Sequence, residues 1–325
     1  MSKIITEKEF QFQITDGKKK ERIDLYLTNS LERSTRTRVQ KLIKEGYVTV
    51  NQKSVKPNYI VSPGDNIVVK IPVSPRPDKV EAEDIPINIV YEDDDLMVIN
   101  KPAGIVVHPA LGNFTGTLVN ALLHYTSKLS TLNEPVRAGI IHRIDKDTSG
   151  LLLVAKDEWV HSQLAKDFSK HNIERKYVAV CWGHLPAKEG EVIGNIARSK
   201  RDRKIFCVSP DEGKSALTFY KVIEEYEFLS LIELKLKTGR THQIRVHLSH
   251  INHPIFGDAV YGGRKIVYGF NLPKIKNRVN NLLDIMTRQA LHARTLGFTH
   301  PRTKQKLLFD SELPEDMKLL IDSVK

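Results

Sequence analysis

The sequence predicts an α+β protein in two parts: a small α+β module, then a larger domain on a mixed, mainly antiparallel sheet. Three observations carry this. Residues 21–71 read as two short helices followed by short strands. Residues 72–86 hold Pro72, Pro75, Pro77 and Pro86 among charged residues, which suits an extended linker better than a core element. From residue 87 to the end, strand-like runs do not alternate regularly with helices, which argues against a doubly wound parallel sheet. With 325 residues, 40% of them hydrophobic, the chain can build one large core and a satellite of roughly 50 to 100 residues.

Residues 1–20 read as a loose N-terminal arm that ends in the basic knot Lys18-Lys19-Lys20. Ile23, Leu25, Tyr26 and Leu27 then begin a short helix, and Ser34 or Thr35 caps a second. In that second helix Val39, Leu42 and Ile43 share one face at helical spacing, and Gly46 supplies the stop. Its other faces carry Arg36, Arg38, Lys41 and Lys44. These cations are candidates for a polyanion contact; a solvated cationic face is the other reading of the same spacing. Tyr47 to Val50 reads as a strand, and Pro63-Gly64-Asp65 turns the chain into another through Ile67, Val69 and Ile71.

Beyond the linker, Ile87 to Tyr91 and Leu96 to Asn100 flank the acidic turn Glu92-Asp93-Asp94-Asp95 as a hairpin, with the acids solvating the turn. Strands are predicted at Leu151 to Ala155, Lys176 to Cys181, Ser215 to Val222, Leu229 to Leu236 and Leu296 to Thr299. Helices are predicted over Thr117 to Thr126 and over Asp157 to Lys170, the latter capped by Asp157.

Fifty Lys and Arg stand against 39 acidic residues, a formal charge of +11, which favours a polyanionic partner; diffuse solubilising charge is the other reading. Part of it clusters: Arg198, Lys200, Arg201, Arg203 and Lys204 form a basic segment between apolar runs, a second candidate contact for nucleic acid or else a solvated loop. Only Cys181 and Cys207 occur, in no zinc-like spacing, so a reduced cytoplasmic setting is expected. The N-terminus lacks the apolar core of a signal peptide, and no apolar run approaches the roughly 18 to 20 residues that span a bilayer.

Several common chemistries lack local support. Gly213-Lys214-Ser215 could close a phosphate-binding loop, but Val208 stands where its first glycine belongs. Neither G-x-G-x-x-G nor G-x-S-x-G occurs. His242, His247, His250 and His253 lie close in sequence, yet no cysteine or carboxylate is near enough in sequence to complete a metal site, and hydrogen-bonded or RNA-facing histidines are the better reading.

The most unusual segment runs from Arg137 to Gly150, where the dense polar cluster His142-Arg143-Ile144-Asp145-Lys146-Asp147-Thr148-Ser149-Gly150 abuts the apolar run Leu151 to Ala155. A polar turn accounts for Asp147 to Gly150. It does not account for His142, Arg143 and Asp145 directly after Gly139-Ile140-Ile141.

This cluster resembles the H-R-L-D-x-x-T-S-G signature of the RluA-type pseudouridine synthases, with Ile144 in the leucine position. Further segments agree in order: Lys101-Pro102-Ala103-Gly104 with His108-Pro109, Arg175-Lys176-Tyr177, Thr238 to His247, and Gly257-Asp258-Ala259-Val260-Tyr261-Gly262. The likeness covers the chain from about residue 87 to its end. The preceding module, through Arg22 to Leu27 and Arg36 to Asn51, resembles the S4 RNA-binding domain.

The resemblance implies isomerisation of uridine to pseudouridine in RNA, without metal or cofactor. Asp145 matches the family's catalytic aspartate and Arg245 its charge partner. Tyr177 matches the tyrosine that stacks on the base, and Arg143 the residue that fills the gap left by a flipped base. A strand tyrosine in the core and a phosphate-contacting arginine are the plainer readings of Tyr177 and Arg143. The implied partner is large-subunit ribosomal RNA or a pre-ribosomal particle, met by a monomer away from any membrane. Transfer RNA as substrate, or a catalytically silent RNA-binding factor, are the competing readings.

Overall fold

The structure, a computed structural model, describes residues 6–16, 20–31, 34–73, 79–110, 112–133, 135–200, 202–203, 205–268 and 273–325. It divides into two units, Met1–Pro77 and Asp78–Lys325.

The first unit comprises β1 (Thr6–Gln13), α1 (Ile23–Ser30), α2 (Arg36–Lys44), β2 (Val48–Val50), β3 (Lys53–Ser54) and β4 (Asn66–Val73), with sheet order β1-β4-β2-β3. Residues 6–13 are therefore a strand where the sequence suggested a loose arm. Phe10 and Phe12 supply a period of two, and they pair opposite Val69 and Ile67. The strand before the linker also runs further than residue 71. Beyond Lys70, β4 has β1 as its only ladder partner, so Pro72, which lacks an N–H, fits there.

The cap of α2 is Thr35, whose hydroxyl accepts from the Arg38 amide at 3.3 Å, and Val39, Leu42 and Ile43 are buried on its inner face. Asp24 is fully buried and accepts from Arg22 at 3.0 Å, Arg36 at 3.1 Å and Gln40 at 2.7 Å. Burial alone would raise its pKa; hydrogen bonds from Arg22, Gln40 and Arg36 outweigh it and hold the carboxyl at about 2.

The second unit runs β5 (Ile89–Glu92), β6 (Leu96–Lys101), α3 (Leu118–Tyr125), β7 (Ser149–Ala155), α4 (Glu158–Ser169), β8 (Glu174–Trp182), β9 (Glu189–Arg198), β10 (Phe206–Ser209), β11 (Lys214–Glu225), β12 (Leu229–Leu236), α5 (Gln243–His250), α6 (Pro273–Ile285), β13 (Leu291–Thr299), β14 (Lys306–Asp310) and α7 (Glu315–Val324). Nine strands of a ten-stranded sheet follow the order β10-β9-β11-β12-β8-β13-β7-β6-β5, with β14 on β13. Every pairing in it is antiparallel except β13 with β7. The mixed, mainly antiparallel sheet predicted from the irregular order of elements is the one observed.

β7 is buried along its whole length, which explains its unbroken apolar run. Its start is pinned to β13 by Gly150, whose φ is +119°: a Cβ there would fall 2.2 Å from the Ala293 carbonyl oxygen. Close pairing at this point fixes the C-terminal end of the polar cluster. The acids of the β5–β6 turn do more than meet solvent. Asp95 accepts from Arg302 Nε at 3.0 and 2.8 Å, and Asp93 faces His300 at 3.1 Å.

Candidate active site

Four segments far apart in sequence converge on the loop that enters β7. Thr148 N–H donates to the Asp145 carbonyl at 3.1 Å, closing a tight turn. The Lys146 carbonyl accepts from the Gly104 amide and from Lys101 Nζ, each at 3.0 Å. Lys101 is completely buried and also donates to the Pro102 and Ile105 carbonyls at 2.7 and 2.9 Å. Burial lowers its pKa to about 7, while three carbonyl acceptors match the three donors of the charged form. From the other side, Arg288 Nη1 donates to the Asp147 carbonyl at 2.9 Å, and the Gln289 amide to the Thr148 hydroxyl at 3.2 Å. The backbone around Asp145 is thus held from several directions.

The Asp145 side chain meets Arg245, which projects from the first turn of α5. Arg245 Nη1 donates to Asp145 Oδ2 at 3.0 Å. Its Nε and Nη2 donate to Oδ2 and Oδ1 of the buried Asp258, at 2.7 and 3.0 Å, a two-pronged pairing that fixes the guanidinium plane. The Tyr261 ring lies 4.9 Å from that guanidinium. Burial disfavours the arginine's charge, but Asp258 and then Asp145 outweigh it and raise its pKa, so Arg245 stays cationic. His242 Nε2 lies 3.9 Å from Asp145 Oδ1, and its Nδ1 bonds the Tyr261 hydroxyl at 2.8 Å. Burial first, with Arg245 and Arg143 assisting against Asp145, lowers the His242 pKa.

Asp145 opens into a cavity of about 530 Å³, enough for a nucleotide, with Arg143, Tyr177 and Leu291 also in its wall. Tyr177, 7% exposed, comes from β8, where alternation sends Arg175 and Tyr177 to the same face. Burial raises the phenol's pKa; Arg175 opposes this and Asp145 adds to it. The structure thus brings Asp145, Arg245, Tyr177 and Arg143 to one cavity.

The basic residues lie elsewhere. Arg198 and Arg203 are exposed at the β9–β10 connection, where Arg198 Nη1 donates to the Arg203 carbonyl at 2.7 Å and its guanidinium sits 4.9 Å from the Phe206 ring. Phe206 in turn packs edge-on against His242, which ties this hairpin to the site. Arg201 and Lys204 fall outside the described residues. In the first unit Arg38, Lys41 and Lys44 are exposed on α2, whereas Arg36 is half engaged with Asp24.

Asp258 and Tyr261 have no role in the sequence reading, although the Gly257 to Gly262 segment drew notice; what marks Asp258 is a carboxylate among small residues, and its arginine partner is visible only in three dimensions. The sequence-adjacent histidines do not converge: His242 bonds Tyr261, His247 bonds Thr218, and His253 bonds the Trp182 carbonyl. Asp93, Asp95 and His300 come close enough to suggest a cation site. However, His300 Nδ1 accepts from the Arg302 and Thr303 amides, so in the neutral ring Nε2 carries the proton and has no lone pair for a metal.

Comparison with known proteins decides the chemistry. The RNA pseudouridylate synthase family pattern matches residues 95–250 and the S4 domain pattern residues 21–67. An uncharacterized RNA pseudouridine synthase of Chlorobaculum parvum is 47% identical over 312 residues, 94% of each chain. The chain belongs to the RNA pseudouridine synthases. A second family member, the ribosomal large subunit pseudouridine synthase D of Zymomonas mobilis, is 46% identical over 303 residues, 92% of each chain. The structure of human RNA pseudouridylate synthase domain containing 4 superposes with a TM-score of 0.56 at 26% identity, over 73% of this chain and 92% of that one. This synthase is therefore an isomerase acting on RNA, with an S4 RNA-binding domain ahead of its catalytic fold. Among the described residues no helix is long and apolar enough to cross a membrane.

Proposed function

We propose that this synthase isomerises uridines of large-subunit ribosomal RNA, with Asp145 as the reacting carboxylate. The Asp145–Arg245 pair carries the reading. Converting uridine to pseudouridine breaks N1–C1′, turns the uracil, and joins C5 to C1′; C5 loses a proton and N1 gains one, so atoms balance without a co-reactant. The reaction needs an ionised carboxylate beside the sugar and base. Arg245 donates to the Asp145 carboxylate, and Asp258 keeps Arg245 in place.

Tyr177 stacks on the freed uracil and holds it in the cavity while it turns. Its raised pKa keeps the phenol protonated, which suits stacking or proton relay better than service as a standing base. Arg143 fills the space the flipped base leaves, at a cost of a few kcal/mol for unstacking. Arg38, Lys41 and Lys44 of the S4 domain, with Arg36 oriented by Asp24, contact ribosomal RNA, and Arg198 and Arg203 add a second contact beside the cavity.

The large-subunit reading draws on the relatives' names and the S4 domain. Mapping pseudouridines in ribosomal and transfer RNA from cells with and without the protein tests it. Sites lost from large-subunit RNA are the expected result; loss confined to transfer RNA contradicts it.

A further inference from the structure

Among the described residues Asp145 is the only carboxylate lining the cavity, against the arginines Arg143, Arg175, Arg240 and Arg245. Arg245 is neutralised by Asp145 and Asp258. Arg175 and Arg240 make no ion pair among the described residues, and neither does His171, which lines the same wall.

Arg175 is built into this position. Its guanidinium lies 5.2 Å from the Phe168 ring, which also stacks with His142 at 4.5 Å, and its Nε is buried without a hydrogen-bond partner among the described residues. Gly239 leaves room for it: a Cβ there would come within 3.2 Å of Nη1. Stacking on an aromatic ring restricts a long side chain in advance, so binding a ligand costs it less entropy. Arg240, next to Gly239, is steadied by its Nε donating to the Ser215 carbonyl at 3.1 Å. His171 follows the C-terminus of α4 at φ +60°, a left-handed conformation that ordinarily favours glycine at this place. Burial, then Lys237, Arg175 and Arg240, lowers the His171 pKa, so these cations form one field.

We propose that Arg175, Arg240 and His171 form an anion subsite in the cavity wall that takes a backbone phosphate flanking the target uridine. The inference rests on the reading of Asp145 as the reacting carboxylate. During the reaction the base is detached from its sugar, so C1′ must be kept in reach of C5 by something other than the base. A phosphate gripped by fixed guanidinium groups supplies that anchor. The subsite differs in task from Arg143, which fills the vacated stack, and from the basic hairpin of β9 and β10.

The test is equilibrium binding of the full chain to a large-subunit ribosomal RNA transcript across a potassium chloride series, with turnover on the same RNA. Arg175→Gln and Arg240→Gln should each flatten the plot of log affinity against log salt, by up to roughly 0.7 to 0.9 for the one phosphate they share. KM should rise roughly tenfold and kcat should fall with it, because the anchor also holds C1′ near C5. Arg175→Lys, which retains the charge, should restore most of the slope. Slopes equal to wild type in both glutamine variants overturn the subsite, as does a fall in kcat with KM and slope intact. A wild-type protein without turnover on any RNA counts against the Asp145 reading, and the slope comparison still decides the subsite.

Discussion

Asp258 takes Nε and Nη2 of Arg245, at 2.7 and 3.0 Å, and leaves Nη1 to Asp145. A buried residue outside the cavity lining thereby sets the geometry at Asp145. Asp258→Asn should lower kcat by roughly tenfold to a hundredfold, about 1.4 to 2.7 kcal/mol of barrier, and leave RNA affinity near wild type. Single-turnover kinetics read this; an unchanged rate would show that Arg245 needs no such support.

Lys101 closes the other side of the loop. Lys101→Met keeps an unbranched side chain but leaves three carbonyls, those of Pro102, Ile105 and Lys146, without this donor. A loss on the order of 3 kcal/mol of stability in urea unfolding is expected, with lower turnover in the folded fraction.

His292 is 1% exposed between the Ser149 and Ser311 hydroxyls, and burial, helped by Arg288 and Arg294, lowers its pKa to about 4. The unfolded chain, with an ordinary imidazole near 6.5, then binds more protons than the fold between pH 6.5 and 4. Stability of the catalytic unit should fall as pH drops through that window, by up to about 3 kcal/mol from this residue. His247, also lowered to about 4 by burial, acts in the same direction. Urea midpoints measured from pH 7 to 4 check this, and His292→Gln should flatten the dependence.

Asp24 acts in the same direction as His292, at lower pH. Its pKa falls from 3.8 to about 2 on folding, so its stabilisation is present above pH 4 and is lost as pH falls towards 2. Asp24→Asn should lower the melting temperature of the S4 unit and weaken RNA binding through a released Arg36. A variant with the wild-type melting temperature and affinity would remove Asp24 from the account.

The elements legible in the sequence were those with one clear period: the buried run of β7, the Asp157-capped α4 and the Val39-Leu42-Ile43 face of α2. β1 is faint in the sequence because its alternation rests on Phe10 and Phe12 alone, with the charged Glu7, Lys8 and Glu9 before them. The basic segment Arg198 to Lys204 stood out by charge, but not that Phe206 beyond it packs on His242. Asp145 could be named from sequence through the long motif His142 to Gly150, and Tyr177 and Arg245 through the shorter matching segments that hold them. Asp258 and the Arg175–Phe168–His142 stack depend on contacts between segments that no local spacing encodes.

The most direct test of the Asp145 assignment is pseudouridine formation by Asp145→Asn on large-subunit ribosomal RNA, with binding measured on the same preparation. Asparagine keeps the shape and removes the charge. Binding near wild type with no detectable pseudouridine is the expected result; turnover near wild type would contradict the assignment.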